Sequence, residues 1–96
     1  MPDYLILMHS DATGPELDWP GYLVKLTATG RFKGGSAIGD GATFRRSGAP
    51  LPASDTIVGF ICVEADDLTA AEAMLLGNPV FEAGGTCEIR LLPKDE

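Results

Sequence analysis

The 96-residue sequence is poor in the residues that usually mark metal, redox or nucleic-acid chemistry. It has one histidine, two cysteines and seven basic side chains against fourteen acidic ones, for a formal net charge of −7 at pH 7. Cys62 and Cys87 stand in apolar surroundings with neither a CxxC spacing nor a neighbouring histidine, so we expect buried thiols and neither a metal nor another cofactor. The negative charge would repel a phosphate backbone. Only Arg45 and Arg46 are adjacent, so we expect them to decorate an exposed hairpin and predict no nucleic-acid partner.

Long hydrophobic runs are absent as well. No apolar stretch approaches the roughly 20 residues needed to cross a bilayer, so we expect a soluble protein with no membrane partner. Residues 1–8 lack a basic flank and a small-residue cleavage site, which argues against a secretory signal and favours a cytoplasmic location. The chain has the length of one domain, and we predict a single domain over residues 1–96.

The patterns that are present predict four strands and two helices. The strands are expected at residues 4–8, in a glycine-rich bulged segment at 32–41, at 56–65 and at 86–93. The helices are expected from Asp18 or Trp19 to about Thr29, and from Leu68 to Leu76 with Asp67 as its cap and Gly77 as its stop.

The segments between these elements are less regular. Residues 43–46 can extend or follow the second strand, whereas residues 49–55, with two prolines, are expected to form a surface loop. Residues 56–65 alternate apolar side chains on both faces, so we expect that strand to be buried on both faces for most of its length.

The order β-α-β-β-α-β is that of the ferredoxin-like unit, a four-stranded antiparallel sheet with both helices on one face. In so small a domain the other face of the sheet would expose a large apolar patch. Pairing two sheets in a homodimer would cover that patch. We therefore predict an α+β, ferredoxin-like βαββαβ fold assembled as a dimeric α+β barrel.

Nearly the whole chain resembles the YCII-related (DGPF-like) family. The resemblance is carried by the opening YLILMH, the helix end ATGRFKGG, the passage GFICVEADDLTAAEA and the closing GNPVFEAGGTCEIRLL. The last of these is the most specific, because the other pieces are common to many small α+β domains. The resemblance implies a dimeric ferredoxin-like barrel with a pocket for a small molecule, in a family where some distant relatives act in aromatic degradation.

Two departures from the family pattern bear on activity. The Asp-Gly-Pro-Phe tetrapeptide is absent, since residues 51–56 lead straight into Ile57, and the chain is therefore similar to the shorter branch. In that branch a histidine early in helix one and an aspartate before the loop proline look like a catalytic pair. The matching positions here are Gly21 or Tyr22 and Asn78, so the resemblance implies a pocket without that pair. Asn78 could still hold a ligand by hydrogen bonds.

The only histidine, His9, is the catalytic candidate. It ends the first strand, where a cleft often opens, and imidazole is the side chain best suited to proton transfer near neutral pH. Asp11, Asp40 and Glu82 are the carboxylates that could orient it, or they are solvated loop acids. The alternative for His9 is a half-buried side chain bonded to a loop carbonyl.

Further residues are candidates for holding a ligand, and Asp40 and Asn78 are counted among them. Gly35 and Ser36 could let a ligand carboxylate approach backbone N–H groups, or serve only as a bulge. Trp19 and Tyr22 could roof an apolar pocket, or pack in the core or a dimer contact.

Three functions remain open on the sequence. The first is a non-catalytic pocket that binds a small organic acid or aromatic. The second is a lyase or isomerase with His9 as general base and Asn78 or Ser36 holding an anionic intermediate. The third is a dimeric interaction or regulatory module with no ligand.

Overall fold

The computed structural model describes residues 1–15 and 18–94 and confirms the α+β prediction. One antiparallel four-stranded sheet has the strand order β2-β3-β1-β4, which fits the ferredoxin-like fold. The strands are β1 (Asp3–His9), β2 (Phe32–Ala37), β3 (Ile57–Glu64) and β4 (Cys87–Leu92). The helices are α1 (Trp19–Ala28), α2 (Leu68–Ala73) and α3 (Pro79–Glu82).

Helix α1 begins and ends where its sequence signals predict. The side chain of Asp18 accepts a hydrogen bond from the Gly21 amide at 2.9 Å, and Pro20 occupies the first turn, where no N–H is needed. Gly30 follows with φ of 73°, a conformation that stops a helix. The side chains of Tyr22 and Leu26 on this helix are buried in the core and pack it against the sheet.

The second predicted helix is shorter than expected, and a third helix follows it. Asp67 caps α2 as predicted, accepting from the Ala70 amide at 2.8 Å, but α2 ends at Ala73 rather than Leu76. Asn78 then caps α3, which has Pro79 in its first turn. Helix α3 was not predicted from the sequence, because four residues are too few to show helical periodicity, although Asn-Pro is itself a helix-start signal.

The two faces of the sheet have different surroundings. Tyr4, Ile6 and Met8 of β1 face the helices and are buried, as are Ile61 and Val63 of β3. We call the opposite side, with no helix of the described residues upon it, the open face.

On the open face, Leu5 and Leu7 of β1 and Phe60 and Cys62 of β3 are only half-buried. The expectation that residues 56–65 are buried on both faces is therefore wrong for the single chain. The reason is that the helices all pack against one face.

Strand β2 ends early and leads into residues 38–56, which we call the exposed segment. The register shift between Phe32 and Gly34 confirms the predicted bulge, but the strand stops at Ala37, and residues 43–46 do not extend it. Every residue from 38 to 56 is exposed, with Phe44 90% and Leu51 81% accessible. Because this segment contains no strand, the hairpin expected around Arg45 and Arg46 is not formed.

Within the part of the chain that the structure describes, no helix has the length and apolar character to pass through a membrane.

Candidate functional site

A cavity of about 410 Å³ lies on the helix face of the sheet, between α1 and the β2–β3 pair. This volume is in the range of small-molecule pockets, roughly 300–1,000 Å³. The helices and β1 contribute Trp19, Leu23, Val80 and Met8, and the sheet contributes Phe32, Gly35, Ser36, Ala37, Val58, Gly59, Phe60 and Ile61.

Small residues on the two strands keep this cavity open. Gly59 pairs with Met8 on one side and Ala37 on the other. A Cβ at position 59 would lie 3.0 Å from the Met8 Cε atom, so any larger residue would press against the cavity wall. On the helix side the rings of Trp19 and Tyr22 meet edge to face, with centroids 6.0 Å apart.

The lining of the cavity is apolar. Ser36 pairs with Phe60, so its side chain lies on the open face and only its backbone borders the cavity. Its hydroxyl donates to the carbonyl of Ala37 at 2.9 Å. Among the residues that the structure describes, no acidic or basic side chain lines the cavity. A charged ligand would therefore be buried there without a partner, which is energetically costly, whereas an uncharged ring would exchange water for apolar contacts.

The predicted ligand-binding residues divide among several places. Trp19, Gly35 and Ser36 meet at the cavity, as one pocket would require. Tyr22 is buried between α1 and α2, where its hydroxyl donates to the Met74 carbonyl at 2.8 Å and burial raises its pKa. Asp40 lies in the exposed segment, apart from the cavity lining.

Asn78 is fully buried and organises the loop between α2 and α3. Its Oδ1 atom accepts from the backbone amides of Val80 and Phe81 at 3.0 and 3.1 Å. Its Nδ2 atom lies 3.7 Å from the sulfur of Met8. Because its oxygen caps α3, the Asn78 amide makes its hydrogen bonds to the protein and is not among the residues that line the cavity. Two residues that it contacts, Val80 and Met8, do line the cavity.

His9 lies on the open face, across the sheet from the cavity. Its Nδ1 atom is 3.0 Å from the Thr56 hydroxyl and its Nε2 atom is 3.0 Å from a carboxylate oxygen of Glu88. The histidine therefore makes hydrogen bonds to two side chains. The alternative raised from the sequence, a bond to a loop carbonyl, is not what the structure shows. Sequence reasoning did not find Thr56 or Glu88, because both contacts depend on strand register.

Of the three carboxylates proposed to orient His9, Asp11 and Glu82 have other hydrogen-bond partners. Asp11 accepts from the amide and hydroxyl of Thr86 at 2.7 and 2.6 Å, and these bonds lower the pKa of its carboxyl. Glu82 accepts from the Gly77 amide at 3.1 Å. Asp40 lies in the exposed segment.

The cysteines do not form a reactive site. Burial raises the pKa of Cys87 to about 11, and burial also raises the pKa of Cys62. Both thiols therefore stay protonated and weakly nucleophilic near neutral pH. Both are half-buried rather than fully buried as expected. Across residues 1–15 and 18–94, no cluster of three or more His, Cys, Asp or Glu side chains is arranged to hold a metal ion.

Comparison with protein families supports the resemblance seen in the sequence. No curated protein matches the chain. The model of the YCII-related domain matches residues 7–94, which cover all four strands except the first residues of β1. The chain thus belongs to the family of YCII-related domain proteins.

Proposed function

We propose that this protein is a homodimer that binds a small, uncharged aromatic or similarly apolar molecule in the cavity beneath α1. The observation that carries the proposal is an apolar cavity of about 410 Å³ whose lining includes Trp19 and Phe32 and, among the described residues, no charged side chain. A cavity of this size with an apolar, partly aromatic lining is typical of a small-ligand site.

The lining favours one of the two ligand classes that the sequence left open. An organic acid would need a cation or several free N–H groups to replace its water, and the cavity has no Lys, Arg or His among its lining residues. The formal charge of −7 would also repel an anion. An aromatic ring can instead contact Trp19 and Phe32 through their faces or edges.

The homodimer is supported by the composition of the open face. Its centre is apolar, with Leu5, Leu7 and Phe60. Its margin carries both signs of charge, since Lys33 lies 3.3 Å from Asp3 at one end. A surface with an apolar centre and charges of both signs can pair with a second copy of itself about a two-fold axis.

Ligand binding can be measured through Trp19, the only tryptophan of the chain. We expect 4-nitrobenzyl alcohol to quench its fluorescence in a saturable way, because nitroaromatic rings quench indole on contact. The anion 4-nitrobenzoate should bind at least about tenfold more weakly, which corresponds to roughly 1.4 kcal/mol for burying its charge without a partner.

Two matched variants, each replacing an alanine with leucine, show whether the ligand occupies this cavity. Ala37→Leu adds bulk to the lining and should weaken binding of the alcohol, whereas Ala28→Leu, at the exposed end of α1, should leave it unchanged. Equal binding to both variants, or no saturable quenching by either ligand, would count against the cavity as the binding site. If 4-nitrobenzoate binds more tightly than the alcohol, the cavity would still be the binding site, but the proposal that its ligand is uncharged would be wrong.

The dimer can be tested with a charge at the centre of the open face. Leu5 lies on central strand β1, between Cys62 of β3 and Arg90 of β4. We expect Leu5→Asp to shift the native mass from twice 10.1 kDa to 10.1 kDa. Val24→Asp, on the 71% exposed outer side of α1, adds the same charge and should stay dimeric. A wild-type protein that is monomeric at high concentration contradicts the proposed assembly.

A further inference from the structure

A hydroxyl, an imidazole and a carboxylate form a continuous chain at one end of the open face. We call Thr56, His9 and Glu88 the His9 cluster. Thr56 Oγ1 lies 3.0 Å from His9 Nδ1, and His9 Nε2 lies 3.0 Å from Glu88 Oε1. The three residues come from the exposed segment, β1 and β4, and meet where β1 ends and β4 begins.

The partners of His9 determine where its proton lies. An ionised carboxylate can only accept a hydrogen bond, so the bond between His9 and Glu88 requires a hydrogen on His9 Nε2. In the neutral ring the other nitrogen, Nδ1, then carries a lone pair and accepts the Thr56 hydroxyl hydrogen. Arg90, whose Nη1 is 3.4 Å from the second oxygen of Glu88, helps to hold the carboxylate in this orientation.

Both ring nitrogens of His9 are therefore occupied, and the atom left facing solvent is the Thr56 oxygen. The His9 side chain is 20% accessible, whereas Thr56 is an exposed residue. The backbone carbonyl of Thr56 accepts a hydrogen bond from the Ser10 amide at 2.7 Å and holds the segment against β1 at this point. The Thr56 side chain is therefore not needed for that purpose. The geometry thus makes the hydroxyl available for chemistry.

From this arrangement we infer that Thr56 is a nucleophile for acyl transfer from small esters, with His9 as its general base and Glu88 as a positioning residue. The same hydroxyl–imidazole–carboxylate order activates nucleophiles on unrelated folds, and it is recognised by geometry rather than sequence position. The site lies on the sheet face opposite the cavity, so it does not depend on the proposed ligand there. Glu88 pairs with Leu7 within the open face, whereas His9 and Thr56 lie beyond the last β1–β4 pair, Met8 with Cys87, at the end of the sheet. The proposed pairing of sheets therefore leaves the Thr56 hydroxyl at the margin.

The reaction has two stages, acylation of Thr56 and hydrolysis of the acyl group. The Thr56 oxygen bonds to the ester carbonyl carbon while its proton passes to His9 Nδ1. The bond from that carbon to the alcohol oxygen then breaks, and the alcohol leaves with the proton from His9. Water attacks the acylated Thr56 in the same way, giving its proton to His9 and releasing the carboxylic acid as the threonine hydroxyl is restored.

The test uses p-nitrophenyl acetate with the full chain, following release of p-nitrophenol and locating the acetyl group by peptide mass spectrometry. The wild-type protein should carry the acetyl group on Thr56. Thr56→Val keeps the shape of the side chain but removes the attacking oxygen, so it should lose the label. Its rate should fall by at least the roughly 10²-fold that a general base contributes, because the base is left without a nucleophile to activate. Thr56→Ser keeps a hydroxyl and should retain the reaction.

Two further variants separate activation from folding. His9→Gln should slow acetylation of Thr56 to the rate of an ordinary threonine. Glu88→Gln should lower kcat with little change in KM, because it alters the His9 tautomer rather than the substrate contact. Circular dichroism melts establish that each variant is folded. Acetylation confined to lysines or to His9, or an unchanged rate in Thr56→Val, would overturn the inference.

Discussion

Gly35→Ala is expected to destabilise the protein by about 1–3 kcal/mol, the usual cost of forcing an extra group into a close-packed contact. A Cβ at position 35 would overlap the carbonyl oxygen of Phe60 and lie 3.1 Å from the Cα atom of Ile61. Both contacts are backbone, so no side chain can rotate away. Relief requires β2 to separate from β3, which is the pairing that closes one side of the cavity. Urea unfolding followed by circular dichroism measures the loss.

Gly39→Ala is the matched control for this substitution. Nothing lies within 4 Å of a Cβ at position 39, and the backbone there is not left-handed. We expect it to change the free energy of unfolding by less than about 1 kcal/mol, and in the stabilising direction, because alanine restricts the unfolded chain more than glycine does. Equal losses in Gly35→Ala and Gly39→Ala would show that the close approach of β2 and β3 does not govern stability.

Asn78→Ala is expected to cost about 2–4 kcal/mol, combining a lost helix cap with buried N–H groups left without acceptors. Asn78 has no accessible surface, and its oxygen is the side-chain acceptor for the amides of Val80 and Phe81. Water cannot replace that oxygen without opening the loop. Thermal and urea unfolding at one protein concentration measure the effect, since association would otherwise change the apparent stability.

An exposed cap provides the comparison. Asp67 caps α2 in the same way, accepting from the Ala70 amide at 2.8 Å, but it is open to solvent. Water can therefore take over in Asp67→Ala, and we expect a loss of about 1 kcal/mol or less. If Asn78→Ala costs no more than Asp67→Ala, the buried asparagine contributes only as an ordinary cap, and its position beside Met8 has no special energetic weight.

The elements with strong local signals were predictable from the sequence. Asp18 with Pro20 marked the start of α1, and Gly30 marked its end, because these residues act within a few positions of themselves. The alternation in residues 57–64 likewise predicted β3. The ferredoxin-like strand order followed from the sequence of elements and from the family resemblance.

The arrangement of side chains depended on information that is not local. The contact of His9 with Glu88 joins residues far apart in sequence, and it exists because β1 pairs with β4 in one register. Acidic residues near His9 in sequence, such as Asp11, were therefore poor guides. Trp19, Gly35 and Ser36 could each be named as ligand-binding candidates, because aromatic and glycine-rich segments are typical of pockets. That they border one cavity, and that no charged side chain of the described residues lines it, depends on how the strands and α1 pack.

The end of β1 presents two adjacent residues to two chemically different environments. Met8 lines the apolar cavity, and His9, the next residue, belongs to the polar cluster on the open face. Substitutions can alter either environment separately, since neighbouring side chains of a strand point to opposite faces. A one-residue deletion within β1 acts differently, because it would shift the pairing and exchange the two faces. Evolution can therefore vary the two surfaces independently by point mutation, while the length of β1 must stay fixed for either to persist.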